Sequence, residues 1–156
     1  MVQHNQIDHT GLTGVGGASL GAWTSFTPTW LGSGSNPTIG NGILAGRYKA
    51  LDSKTHLIEI NISVGSTTTD GTGTYSIGNL PAATASSLSW QTLSGHYLDA
   101  STRWYVAFGE ILAGTTTIST VGIIEISGQI GTWQATQPAA PDTSDRLILT
   151  GILEIA

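Results

Sequence analysis

The sequence predicts an all-β fold, a single β-sandwich or barrel of jelly-roll type with an extended N-terminal arm. Three observations carry that expectation. Gly supplies 21 of 156 residues, and Ser and Thr are abundant. That composition disfavours helix and suits short strands joined by tight turns. Apolar and polar residues alternate with a period of two along several stretches. Turn-rich segments separate those stretches at the spacing of a sandwich or barrel, and no stretch combines helical periodicity with caps. A chain of 156 residues argues for one domain around one core.

Residues 1–20 read as an arm. Gly11, Gly14, Gly16 and Gly17 interrupt any regular element, and Ile7, Leu12, Val15 and Leu20 are spaced too loosely for a core. Extended, such an arm reaches roughly 65 Å at about 3.3 Å per residue. The compact domain is assigned to residues 21–156. It opens with "WTSFTPTW", where Trp23, Phe26 and Trp30 surround Pro28. Pro28 cannot donate to a central ladder, so the segment is an edge strand or an irregular lead-in. "LGSGSNPTIGNG" is a loop of turn residues, and "ILAGRYKAL" is a strand.

In "THLIEINISV" the residues Ile58, Ile60, Ile62 and Val64 share one face, and Leu57, Glu59, Asn61 and Ser63 share the other. "GSTTTDGTG" reads as a hairpin-like connection, with Asp70-Gly71 as its turn. "TYSIGNLP" is a short strand, "ATASSLSW" is ambiguous, and "QTLSGHYLDAST" is a strand and turn. "RWYVAFGEIL" sets Trp104, Val106 and Phe108 against Tyr105 and Ala107, which places Trp104 in the core. "TTTISTVGIIEI" is a strand interrupted near Gly122, "ATQPAAPDTSD" a Pro-rich loop, and "RLILTGILEI" a strong closing strand. This makes roughly eight strands.

Charge narrows the function classes. Only 10% of residues are charged and the formal net charge is −5, so no basic patch invites nucleic acid or an anionic membrane. A surface so poor in charge suits burial in an oligomer. There is no cysteine, which removes disulfides and thiolate metal sites. No apolar run is long enough for a membrane-spanning helix, and the N-terminus lacks a Sec-type signal pattern.

Catalytic constellations are not marked either. The carboxylates are scattered, with Asp142 and Asp145 flanking the Pro-rich loop, and a glycosidase needs an opposed pair. "LGSGSN" is not a nucleophile elbow, and "TGVGGAS" lacks the third glycine and the βαβ context of a dinucleotide loop. His4 and His9 sit in the arm, where copies in a trimer could meet on an axis around a metal; the plainer reading is a docking peptide. His56 is placed on the outer face of its strand. The five tryptophans divide between packing and sugar stacking. Trp90 and Trp133 flank turns and are the candidates for exposed ligand contacts. The chain is expected to be a binding protein, not an enzyme, with no cofactor and no metal.

The run from Phe26 to Ala83 resembles a β module of tail and other virion structural proteins of tailed bacteriophages, notably phages of actinobacteria. The residues that carry the likeness are "TPTW" (27–30), "NPTIGNG" (36–42), "GRY" (46–48), "GSTTT" (65–69) and "LP" (80–81). The ending "LILTGILEIA" is similar to its closing strand, with Leu153 where an aromatic is usual, and "DHTGLTGVGG" resembles linkers of phage fibres. The resemblance implies an all-β, trimeric protein on the virion surface, assembled in the host cytoplasm, and brings no catalytic residues. The expected function is a trimeric capsid decoration or head-fibre protein. Its arm, through Ile7, Asp8, His9, Leu12 and Val15, would dock on the major capsid protein or another virion structural protein. The alternative is a tail-fibre or tail-tip knob that binds a host-surface glycan. A chain with a short arm and no shaft favours the first placement.

Overall fold

The computed structural model describes residues 22–100, 103–124, 128 and 130–156. Every regular element among them is a strand. These are β1 (Thr24–Phe26), β2 (Thr29–Gly32), β3 (Ile43–Ala50), β4 (Thr55–Ser63), β5 (Tyr75–Gly78), β6 (Trp90–Asp99), β7 (Arg103–Leu112), β8 (Ile118–Ile124), β9 (Ile130–Thr132) and β10 (Arg146–Glu154). The expected all-β, barrel-like architecture is therefore present, built from ten described strands instead of eight. The expected arm residues Ile7, Asp8, His9, Leu12 and Val15, together with His4, lie outside the described residues.

One sheet runs in the order β1-β3-β4-β10-β6-β7-β8-β5-β2, with β9 added to β8, and every pairing is antiparallel. The outermost strands of that order are β1 and β2, yet only Thr27 and Pro28 separate them in the chain. The sheet must curl until its two edges meet at this corner, which makes an open half-barrel. Pro28 is buried there, and Asn79 Nδ2 donates to the Thr27 carbonyl at 2.7 Å. The edge position expected of Pro28 is thus realised on both edges at once.

Alternation builds the inner face. Ile58, Ile60, Ile62 and Val64 are all buried, and Leu57, Glu59, Asn61 and Ser63 stand on the outer side. The closing strand β10 lies between β4 and β6 and contributes Leu147, Leu149 and Leu153 to the same core. Next to these pack Leu93 and Tyr97 from β6, Ile111 from β7 and Ile118, Val121 and Ile123 from β8. An aromatic group fills the β2–β5 side. Trp30 and Trp133 stack at 5.2 Å with planes 5° apart, and the Tyr75 ring meets both edge-on.

Two expectations about the middle strands are corrected. In β7 the buried residues are Ala107, Gly109 and Ile111, whereas Trp104 is 60% exposed and Val106 58% exposed. Midway along β7, at Gly109, the inner side has no room for bulk. A methyl group on Gly109 would lie 2.7 Å from Ile118 Cγ2 and 3.1 Å from Leu149 Cδ1. Small residues therefore face inward at Ala107 and Gly109 while Trp104 and Val106 face outward, the reverse of the hydrophobicity pattern. β8 is not interrupted at Gly122. The Phe108 ring covers that glycine from the paired strand, where a methyl would collide with it. The irregularity falls earlier, as a bulge at the Glu110–Ile111 step opposite Ser119. The bulge resets the alternation, so Ile118 and Val121 both point into the core.

The segment Gly65–Thr74 is not a hairpin loop, because β4 and β5 are not neighbours in the sheet. It zips instead onto Ser33–Gly42. Thr38 and Thr69 exchange backbone hydrogen bonds at 2.9 Å in each direction, Gly34 N donates to the Thr72 carbonyl at 3.0 Å, and Thr68 Oγ1 donates to the Ile39 carbonyl at 2.6 Å. The hydroxyl-rich composition serves this seam between two loops. Gly71, at φ 64°, supplies the left-handed turn expected of Asp70-Gly71.

Candidate functional site

Placement of the five tryptophans decides which surface can bind. Trp133, one of the two expected ligand contacts, is 0% exposed and sandwiched among Trp30, Tyr75 and Tyr97. It offers no face to a ligand. Its neighbour in that expectation, Trp90, is 53% exposed at the start of β6, paired with Leu112 and close in sequence to the exposed Leu88. Trp104, assigned to the core by the sequence pattern, is an outer-face residue.

Trp104 belongs to an apolar band across the outer side of β6 to β9. Register puts His96 opposite Val106, Val106 opposite Ile124 and Ile124 opposite Ile130. Trp104 meets the His96 ring edge-on at 4.7 Å. Ile130 is 67% exposed, so the band ends on open apolar surface. Trp104, Val106 and Ile130 together present about 350 Å², taking roughly 150 Å² for the indole. That lies at the lower end of the roughly 300–600 Å² of the largest apolar patch on an ordinary monomer, and such patches are often functional.

Further along the same outer face the chemistry turns polar. Ala45 pairs with Asn61, Arg47 with Glu59, and Ser25 with Arg47. The small side chain of Ala45 leaves a cleft of about 320 Å³ bounded by Ser25, Ala45, Gly46, Arg47, Glu59 and Asn61. Arg47 Nη2 and Glu59 Oε2 form an ion pair at 2.7 Å, and the Arg47 guanidinium lies 4.5 Å from the Trp23 ring centre. Asn61 Oδ1 is buried without a hydrogen-bond partner.

At one end of the half-barrel, buried Asp145 organises the Pro-rich loop. Its carboxylate accepts from Tyr97 Oη at 2.7 Å, Ala100 N at 2.8 Å and Asp142 N at 2.9 Å. Burial, and then the hydrogen bond to Asp145, push the Tyr97 phenol far above its ordinary range, so it remains a donor. Asp70 lies in the same field. Burial first, then the charges of Asp142 and Asp145, raise its carboxyl above the usual range. These groups explain one another structurally. Among the described residues no three His, Asp or Glu side chains converge in a way that could hold a metal ion.

His56 is also relocated. It shares the parity of Ile58 and pairs with buried Leu153, so it faces the inner side at the end of β4. Its ring lies 4.8 Å from Tyr48, and Nδ1 is buried without a partner. Desolvation lowers its pKa, opposed in part by Asp52.

The signals for the outer-face cleft were only half visible in the sequence. Glu59 and Asn61 were assigned outward by alternation, but only strand pairing brings Arg47, Ala45 and Ser25 beside them. No protein-family model matches the chain, and no curated protein or solved structure matches it.

Proposed function

We propose that this chain is a structural virion protein of a tailed bacteriophage, a trimeric capsid decoration or head-fibre protein that acts by binding and not by turnover. The observation that carries the reading is the outer apolar band of Trp104, Val106, Ile124 and Ile130 on a protein with very few charges. Its occupants are the neighbouring copies of the same chain. At about 25 cal/mol per Å², burying its roughly 350 Å² contributes about 9 kcal/mol before the cost of association. A patch of that size forms the centre of a standard interface of about 800 Å² per partner, and the surrounding Ser and Thr side chains suit its polar rim. The likeness of residues 26–83 to phage virion modules supplies the setting. Residues 1–20 are assigned the shell contact on sequence grounds, and three arms per trimer would multiply a weak single contact.

A second reading, a tail-tip knob that recognises a host glycan, draws on Trp90, which stands exposed with Leu88 and Leu112 at the far end of the β6–β7 pair.

Immunogold electron microscopy of intact particles, with antibody against residues 43–156, tests both. Gold over the head is the expected result. Gold at the tail end transfers the assignment to the knob, and particles without gold overturn the virion reading.

A further inference from the structure

We infer that the outer-face cleft over Ala45 is a binding site for a neutral polyhydroxylated ligand, a single sugar ring of a glycan. The inference stands on the cleft alone and holds wherever the protein is placed. It also differs in location from the aromatic contacts at Trp90.

Volume sets the size of the ligand. At about 320 Å³ the cleft lies at the small end of ligand pockets, enough for one ring and not for a long chain. It exists because of a size step: Ala45 is flanked by Arg47 on its own strand and by Asn61 on the next. Charge sets the class. Arg47 and Glu59 neutralise each other at 2.7 Å, with side chains 49% and 35% exposed. A free anion would meet the Glu59 carboxylate, and a free cation would meet the Arg47 guanidinium. A neutral ligand with vicinal hydroxyls suits both, since one hydroxyl donates to the carboxylate while its neighbour accepts from the guanidinium.

The Asn61 amide adds an adaptable polar group to the lining. Its Oδ1 has no partner in a buried position, and an amide can exchange its oxygen and nitrogen ends by a half-turn with little steric change. The end that faces the cleft can then act as donor or acceptor toward a sugar hydroxyl. Ser25 supplies a further hydroxyl from the neighbouring strand. At the rim, Trp23 is 40% exposed, with Arg47 on one side of its ring. An exposed indole provides the apolar platform on which sugar C–H faces stack. The cleft is shallow and the contacts few, so affinity near about 1 mM is expected for one site. Repetition on an oligomer raises the working avidity by effective concentration.

The test is an NMR titration of the ¹⁵N-labelled full chain. The probes are the methyl glycosides of glucose, galactose, mannose and rhamnose, with inorganic phosphate as the counter-probe. The expected result is saturable shifts, for at least one glycoside, in the side-chain N–H signals of Arg47, Asn61 and Trp23. Asn61→Ala and Glu59→Gln should each weaken that binding tenfold or more, with core signals unchanged. Should either variant lose its folded spectrum, Ser25→Ala gives the same reading from an exposed position. The inference is overturned if no glycoside gives saturable shifts or if the shifts persist undiminished in the variants. It is equally overturned if phosphate produces the same shifts.

Discussion

Replacing Asp145 with Ala should cost about 3–5 kcal/mol of stability. The carboxylate is 1% exposed and receives three donors, from Tyr97, Ala100 and Asp142, at 2.7–2.9 Å. A hydrogen bond to a charged group contributes about 1.5–3 kcal/mol, so simple addition would give roughly 5–9 kcal/mol. The three bonds converge on one side chain and are not independent, and water entering the vacated space would recover part of the loss. The lower range follows, a large share of the roughly 5–15 kcal/mol that holds a domain together. In urea, with a slope of about 2 kcal/mol per molar, the midpoint should fall by about 1.5–2.5 M. Asp145→Asn should lose less, because one acceptor oxygen remains. Tyr97→Phe should cost about 1–2 kcal/mol, and the double variant should lose less than the two single changes added together. If Asp145→Ala cost under about 1 kcal/mol, the loop would be held by something other than this carboxylate.

Three other outcomes are expected. Val106→Lys sets a charge in the middle of the outer apolar band. In sedimentation equilibrium the parent chain should weigh about three times its 16.1 kDa and the variant about one times, with unchanged circular dichroism; a trimer that survives the lysine removes the band from the interface. Asp70 binds its proton more tightly when folded, so its contribution is fully present below its ordinary value of 3.8 and is lost as pH rises through the raised one. Asp70→Asn should therefore denature later than the parent at pH 7 and together with it near about pH 3, the far side of the ordinary carboxylate range. His56 behaves oppositely, since its folded pKa is depressed below 6.5. Its contribution is present above that value and is lost as pH falls through the depressed one. The urea midpoint of His56→Gln should drop less than the parent's between about pH 7.5 and pH 5, on either side of the ordinary imidazole value; equal drops would refute the burial argument.

Alternation made β4 legible because the strand pairs with β3 and β10, both long and regular, and has a single buried side. The Ile58-Ile60-Ile62 series could face only one way. β7 was misread although it alternates as cleanly. Its phase depends on who fills the interior, and Leu149, Ile118 and Leu93 already occupy that space from other strands. Hydrophobicity ranks Trp104 above Gly109, whereas packing reverses the order. The bulge opposite Ser119 was invisible for a related reason: it inserts one residue against a partner strand, which no single stretch records. Trp133 was judged by its flanking turns, and its burial follows from the Trp30 stack, formed by a residue 103 positions earlier.

The same reasoning explains why the outer face carries the functional reading. In an open half-barrel the inner side is spent on folding, and the cross-strand partners there are complementary in size: Phe26 over Gly46, Gly95 against the backbone of β10, Ala107 beside Ile123. The outer side shows such complementarity where Phe108 covers Gly122, and its exposed positions need none. Its strands could bear Ser and Thr throughout, as Thr92 and Ser94 of β6 and Thr150 of β10 do. Exposed bulk at Trp104, Val106 and Ile130, and an ion pair framing an orphaned amide at Arg47, Glu59 and Asn61, are departures from that neutral surface. Neither departure stabilises the isolated chain: apolar bulk in water contributes little, and a half-exposed ion pair is worth about 0–1 kcal/mol. Both acquire a physical purpose once a second surface covers them. Under the proposed reading the apolar bulk meets a neighbouring copy of the chain, and the paired charges over Ala45 meet the hydroxyls of a sugar.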